Sequence, residues 1–273
     1  MRLSCTSSMV SGSTFTEKAQ NLKKWGYEGI GVFVEYSDWS EELAREIECL
    51  EKNTGIVPCE FVFQDSSYGH LMDNNHPELR DKARKMYKEA AAFCAKIGAV
   101  TELEFEYGAQ DPLPMFSPYQ KMTPQKEAEF IGVFRDIASE VEGTEGYVLL
   151  EPINRYEAPY LNNVDDCREA SRKTNLNNVG ILWDTFHLSI EEKDIPKKII
   201  EAGKDIKYVH LGDNNRLPPG SGNLNWREII KAFKEIGYSG FMSLECALAG
   251  NPEIVLPDTA VFLKSLMIKE KWL

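Results

Sequence analysis

The sequence predicts a (β/α)8 barrel, an α/β fold of eight parallel strands, on three observations. Short β-rich runs alternate with amphipathic helical stretches, and the alternation recurs about eight times, which implies a parallel sheet with right-handed crossovers. The chain has 273 residues, a length that suits one barrel of roughly 250 residues. No glycine-rich GxGxxG or GxxxxGK(S/T) sequence opens a helix, which turns the reading away from an open, nucleotide-binding sheet. No linker or low-complexity tract interrupts the pattern, so residues 1–273 are expected to form a single barrel domain.

Strands are expected to begin near Leu3, Ile30, Val57, Val100, Val148, Gly180, Tyr208 and Phe241. Ahead of the second, Trp25-Gly26-Tyr27-Glu28-Gly29 closes a helix and launches a strand. The clearest helix is Pro77–Ile97. There Leu79, Ala83, Met86, Tyr87, Ala90, Phe93, Cys94 and Ile97 share one face at three- and four-residue steps. Pro77 suits the first helical position, and Gly98 suits the left-handed residue that ends a helix. Near the C-terminus Asn225 and Glu228 make a capping pair ahead of Ile229, Ile230 and Phe233. Ile236-Gly237-Tyr238-Ser239-Gly240 then repeats the helix-to-strand punctuation.

Composition narrows the function classes. With 42% apolar and 27% charged residues, the chain reads as a soluble globular protein, and no apolar run nears the roughly 18 residues of a membrane span. Net charge is −12. That field repels a phosphate backbone, and no basic cluster offsets it, so neither nucleic acid nor membrane is an expected partner. The six cysteines (5, 49, 59, 94, 167 and 246) are scattered without a CxxC pair. They read as reduced, mostly core-packing thiols of a cytoplasmic protein. The N-terminus enters a strand at once, so no signal peptide is expected.

In an α/β barrel the active site sits at the C-terminal ends of the strands. Strand five, Tyr147–Leu150, ends in Glu151; strand six, Gly180–Trp183, ends in Asp184. Strand seven, Tyr208-Val209, ends in His210, and strand eight, Phe241–Leu244, ends in Glu245. Three carboxylates and an imidazole converging on one rim repel and desolvate one another unless a divalent cation supplies the counter-charge. An oxygen-rich set with one nitrogen suits Mn²⁺ best, with Mg²⁺, Co²⁺ or Zn²⁺ as further fits. Each residue has an ordinary alternative: Asp184 before Thr185 also suits a helix cap, His210 a satisfied core position, and Glu151 or Glu245 a solvent-facing strand end. All four being ordinary at equivalent positions is the weaker account.

A second tier surrounds this set. Glu157 lies six residues past Glu151, and His187 three past Asp184. Arg216 sits in a loop stiffened by Pro218 and Pro219. Solvation, helix capping and a surface salt bridge are their respective alternatives. His76, before Pro77, reads as a helix cap; His70 lies in the same Asn- and Asp-rich loop.

At these residues the chain resembles the xylose-isomerase-like family of sugar isomerases and epimerases, and within it the ketose 3-epimerases. The resemblance rests on LEPINRYE ending at Glu157, WDTFHLSIEE from Trp183, HLGDNNRLPPGSG from His210 and SLE ending at Glu245. It rests also on the intervals of 33, 26 and 35 residues from Glu151 to Asp184, to His210 and to Glu245. It implies that Glu151, Asp184, His210 and Glu245 hold the metal, and that Glu151 and Glu245 act as the acid–base pair. It further implies that Glu157, His187 and Arg216 hold the O1-to-O3 end of a sugar, and that the chain forms a homodimer or homotetramer. The first half departs from the family: Ser4–Ser8 lacks its aromatic residues, and Gly31–Glu35 lacks its earlier glutamate.

The expected reaction follows from the chemistry. A proton on carbon beside a ketone is a weak acid, and its removal leaves an enediolate whose oxygen charge a cation stabilises. Glutamates on opposite sides of the flat intermediate invert C3 of a free ketose. Two rival reactions share the barrel: aldose–ketose isomerisation of the hydroxypyruvate isomerase kind, and β-elimination of water as in inosose dehydratase. An endonuclease-IV-like phosphodiesterase needs a histidine-rich zinc cluster, and this chain has four histidines.

Overall fold

The computed structural model describes residues 2–116 and 120–272. Met1 and Leu273, the ends of the expected domain, lie outside the described residues. The strands are β1 (Arg2–Thr6), β2 (Gly29–Glu35), β3 (Val57–Gln64), β4 (Val100–Leu103), β5 (Tyr147–Leu150), β6 (Val179–Asp184), β7 (Ile206–Leu211) and β8 (Phe241–Leu244). They close into a barrel in chain order. Each starts within two residues of its sequence-based expectation. The helices are α1 (Phe15–Lys24), α2 (Glu41–Glu48), α3 (Leu50–Thr54), α4 (Pro77–Ile97), α5 (Pro124–Ala138), α6 (Val164–Thr174), α7 (Thr185–Glu191), α8 (Ile195–Ala202), α9 (Trp226–Glu235) and α10 (Pro252–Lys269). None is long and apolar enough to cross a membrane.

Barrel strands are covered on both faces, so their sequences are buried almost throughout rather than on alternate positions. All four residues of β8 are buried, as are Leu3–Thr6 of β1. A polar side chain in such a strand therefore needs a purpose. Ser4, Glu60, Glu102, Asp184, His210 and Ser243 are the buried examples that matter below.

Packing divides the chain into two compact units. The first comprises 2–33, 39–60 and 183–272. In it β1 pairs with β2 (Ser4 opposite Gly29, Thr6 opposite Gly31) and with β8 (Leu3 opposite Met242). β7 pairs with β8, and His210 stands opposite Ser243. That ladder carries β7 through Leu211, so His210 lies inside the strand rather than just past Val209 as the sequence reading had it. Phe233 of α9 sets its ring against Trp183 (centroids 6.1 Å) and Tyr238 (5.5 Å). Asn225 caps α9 by accepting from Glu228 N at 3.4 Å.

The second unit comprises 34–38 and 61–182. β4 pairs with β5 (Leu103 opposite Leu150), and β5 with β6 (Leu150 opposite Ile181). α4 covers the expected span, and Gly98 ends it at φ 70° with its N–H on Cys94 O at 2.9 Å. His76 holds the residue before α4 yet makes no capping bond. Its Nδ1 lies 2.7 Å from Asp73 Oδ2 instead, where a ring N–H finds a charged acceptor; the helix N-terminus presents only N–H donors. Of the six free thiols, Cys5, Cys59, Cys94 and Cys167 are buried, in line with the expected core role.

Candidate active site

Three expected site residues gather in the first unit. Asp184 ends β6 and caps α7, its Oδ1 accepting from Phe186 N (2.5 Å) and His187 N (3.1 Å). The next residue, Thr185, locks this corner to the end of β7: its hydroxyl donates to Gly212 O (2.6 Å) and accepts from Gly212 N (2.9 Å). His210 is wholly buried, with Nδ1 3.1 Å from Glu245 Oε2. Its other nitrogen, Nε2, lies 2.8 Å from Glu60 Oε1. Glu60 is fully buried on β3.

Two carboxylates therefore bracket one imidazole, and this sets the tautomer. An ionised carboxylate only accepts, so Nε2–H donates to Glu60 and the Nδ1 edge is turned to Glu245. Burial holds the Glu60 carboxyl above its usual range and Glu245 adds to that, while His210 pulls it down. Glu245 goes the other way. Burial raises it, but His210, then Arg216 and His187, draw it down to about 2. Gly31 leaves room for Glu60, since a Cβ there would stand 2.4 Å from Glu60 Oε2.

His187, buried on α7, and Arg216 thus both act on Glu245. Arg216 lays its guanidinium 4.6 Å above the Phe186 ring. Its backbone takes the left-handed conformation (φ 56°), which non-glycine residues seldom adopt, and both of its backbone polar groups are tied down. Arg216 N donates to Asp213 O and Ala247 N donates to Arg216 O, each at 2.8 Å. Asp213 organises the whole loop. Its carboxylate accepts from Asn214 N (2.9 Å), Gly220 N (2.9 Å), Leu224 N (3.2 Å) and Trp226 Nε1 (2.7 Å). Burial raises its pKa, yet these donors leave it below the ordinary carboxylate value.

In the second unit Glu151 follows β5, its N–H on Leu103 O at 3.1 Å. Glu157 sits in the following turn, where Oε1 accepts from Asn154 Nδ2 (2.9 Å) and its carbonyl accepts from Gly108 N (2.9 Å). The β4 side adds buried carboxylates the sequence reading did not single out. Glu102 accepts a short hydrogen bond from Tyr68 OH, and Glu104 lies two residues on.

Within the first unit, one ligand atom from each of Asp184, His210 and Glu245 lies within 4.8 Å of the others. This donor set fits a divalent cation: two carboxylates and one imidazole, with Asp184 and His210 buried. Nδ1 faces Glu245 while Nε2 is engaged by Glu60, the pattern in which a carboxylate orients a ligating histidine. The sequence reading missed Glu60, Asp213 and the Glu102–Glu104 pair. A glutamate inside the apolar run VPCEFVF, and glutamates at two-residue spacing in TELEFE, were the available signals.

Comparison with known proteins adds to this geometry. Residues 19–266 match the family profile described as the xylose isomerase-like TIM barrel. The chain belongs to that family. A probable ketose 3-epimerase of Synechocystis is 25% identical over 230 residues, spanning 83% of this chain and 76% of that protein. A D-psicose 3-epimerase of Enterocloster bolteae is 35% identical over 111 residues, spanning 41% of this chain and 37% of its own length. Among solved structures, the apo 3-keto-D-glucoside 4-epimerase of E. coli superposes with TM-score 0.82 at 22% identity, covering 97% of this chain and 99% of that one. That level of likeness speaks for the fold.

Proposed function

We propose that the chain is a metal-dependent sugar epimerase that inverts a carbinol carbon beside a ketone, acting on C3 of a free ketose. The observation that carries this reading is the Asp184, His210 and Glu245 group at the ends of β6 to β8; Glu151, at the end of β5, is the fourth ligand the reading assigns. The epimerase names of the relatives support the same reaction class, that of an isomerase.

A divalent cation bound by Glu151, Asp184, His210 and Glu245 supplies positive charge beside the ketone oxygen, where negative charge develops; Mn²⁺ suits the donor set. The rest falls to the chain's own side chains. One of Glu151 and Glu245 removes the proton from the carbon beside the ketone, and the other returns a proton from the opposite face. A glutamate held ionised is ready to act as the base, and the cationic surroundings of Glu245 hold it so. Arg216 and His187 orient the ketone end of the sugar, and Glu157 holds the neighbouring hydroxyl.

A second reading keeps every step and moves it one carbon along, to C4 of a 3-keto-glycoside. A 3-dehydro-D-guloside 4-epimerase of E. coli, 29% identical over 119 residues, favours it. The two are separated by incubating Mn²⁺-loaded protein in D₂O with free ketoses and 3-keto-glucosides and following each carbon-bound proton by NMR. Deuterium at C3 with a new ketose supports the first; deuterium at C4 of the glucoside moves the assignment to the second. In Glu151→Gln or Glu245→Gln, inversion is expected to fall by about 10²–10⁴-fold, while the remaining base still exchanges one epimer's proton. No exchange beside any ketone would overturn the proposal.

A further inference from the structure

We infer that the segment between β3 and α4 carries a second metal site, formed by His70, Asp73 and His76 and separate from the four-ligand group. The three residues follow one another at three-residue steps, H-x2-D-x2-H. Both imidazoles present Nδ1 to the same oxygen, Asp73 Oδ2, at 2.9 Å from His70 and 2.7 Å from His76. The three ligand atoms fall within 4.8 Å of one another. The rings stand 5.9 Å apart at 76°, so they approach from different directions instead of stacking.

The backbone fixes this arrangement. His70 N donates to Ser67 O (2.9 Å) and Asp73 N to His70 O (3.1 Å), which winds the segment into a tight turn. Asp73 Oδ1 accepts from Asn75 N at 2.9 Å, leaving Oδ2 to the two rings. Ligand atoms around a tetrahedral ion with bonds near 2 Å lie ~3.3 Å apart. The two His–Asp separations, 2.9 and 2.7 Å, need to open by roughly 0.4–0.6 Å, within reach of small χ adjustments.

Two imidazole nitrogens and one carboxylate favour Zn²⁺, Ni²⁺ or Cu²⁺, whereas the oxygen-rich group on β5 to β8 suits Mn²⁺. His70 is partly and His76 largely exposed, so an ion has an entry path and open positions for water. A second carboxylate, Glu106, lies within electrostatic reach of the cluster. Glu106 is pushed above its usual range by burial and further by Asp73, with Lys126 and His70 pulling it back.

The alternative is that Asp73 serves only as a shared acceptor holding the loop, and zinc titration separates the two. Full-length protein stripped with a chelator would be titrated with Zn²⁺ against a chromophoric competitor, beside a His70→Ala/His76→Ala variant whose far-ultraviolet dichroism is matched. The expected result is one equivalent fewer in the variant, with the ring ¹⁵N signals of His70 and His76 moving in the parent. Asp73→Asn should weaken that equivalent at least tenfold. Equal stoichiometry in parent and variant, or unmoved His70 and His76 signals, would overturn the site. If the double variant unfolds, His76→Ala alone, at a surface position, gives the same readout. The count concerns the loop only, so it stands or falls independently of any epimerase activity.

Discussion

His210 is held by two carboxylates at once, Glu60 at 2.8 Å on Nε2 and Glu245 at 3.1 Å on Nδ1. The one that takes the proton decides which nitrogen is available for coordination. Glu60 is not one of the four residues of the proposed group; its contact with Nε2 positions the ring. Replacing Glu60 by Gln removes the charge that fixes the tautomer. A 10–100-fold loss of metal affinity is expected from removing such a partner, read as the Mn²⁺ dissociation constant from the free-ion electron paramagnetic resonance signal. Unchanged affinity would reduce Glu60 to a packing residue. The four candidate ligands were readable in the sequence because each stands within a residue of a barrel strand's end, close to a change from apolar to polar residues. Glu60 was not, because it falls mid-strand, and only three-dimensional proximity to His210 across 150 residues gives it meaning.

At the scale of an element, the loop from Gly212 to Asn225 is ordered by a single buried carboxylate. Asp213 collects four donors, among them the indole of buried Trp226. Gly222 approaches so closely that a Cβ there would sit 2.3 Å from Asp213 Oδ1. The prolines pointed to a stiff loop but not to what stiffens it, since a hub built from backbone N–H groups has no side-chain pattern. Asp213→Ala leaves those donors without their acceptor, and a buried donor so abandoned costs about 1–3 kcal/mol. A lower melting temperature is expected, together with a raised KM because Arg216 rides on the loop. A variant with parental KM would separate loop order from Arg216 placement. The H-x2-D-x2-H turn teaches the converse: its spacing was visible, and the structure turned His76 from a helix cap into one arm of a cluster.

For the whole molecule, β/α alternation did most to specify the barrel, because eight covered strands need eight buried runs at near-regular intervals. The assignment of strand ends was weaker, as β7 demonstrates, since ladder pairing and not residue type decides where a strand stops. The acidic site also shapes acid stability. In chelator-stripped protein Glu245 sits at about 2 against an ordinary 4.5. A carboxyl depressed in the folded state stabilises fully above its unfolded pKa, and that share is lost as pH falls from 4.5 toward 2. Glu60, held above its usual range, works in the opposite sense: its share is present at low pH and lost as pH rises through its folded value. Melting temperatures of the stripped protein should therefore drop through the lower window, and less steeply for Glu245→Gln. An identical slope would remove Glu245 from the acid response.

Gly31 and Glu60 occupy space that only one of them can fill, with 2.4 Å between a hypothetical Cβ and the carboxylate oxygen. Position 31 does not drift alone. A methyl group at 31 is tolerated only after the carboxylate at 60 has shortened or withdrawn, and a withdrawn carboxylate releases His210. The order of changes therefore matters: along any lineage of this chain, substitution at a glycine in β2 waits on prior loss of the grip on the imidazole, so the pair evolves as one epistatic unit.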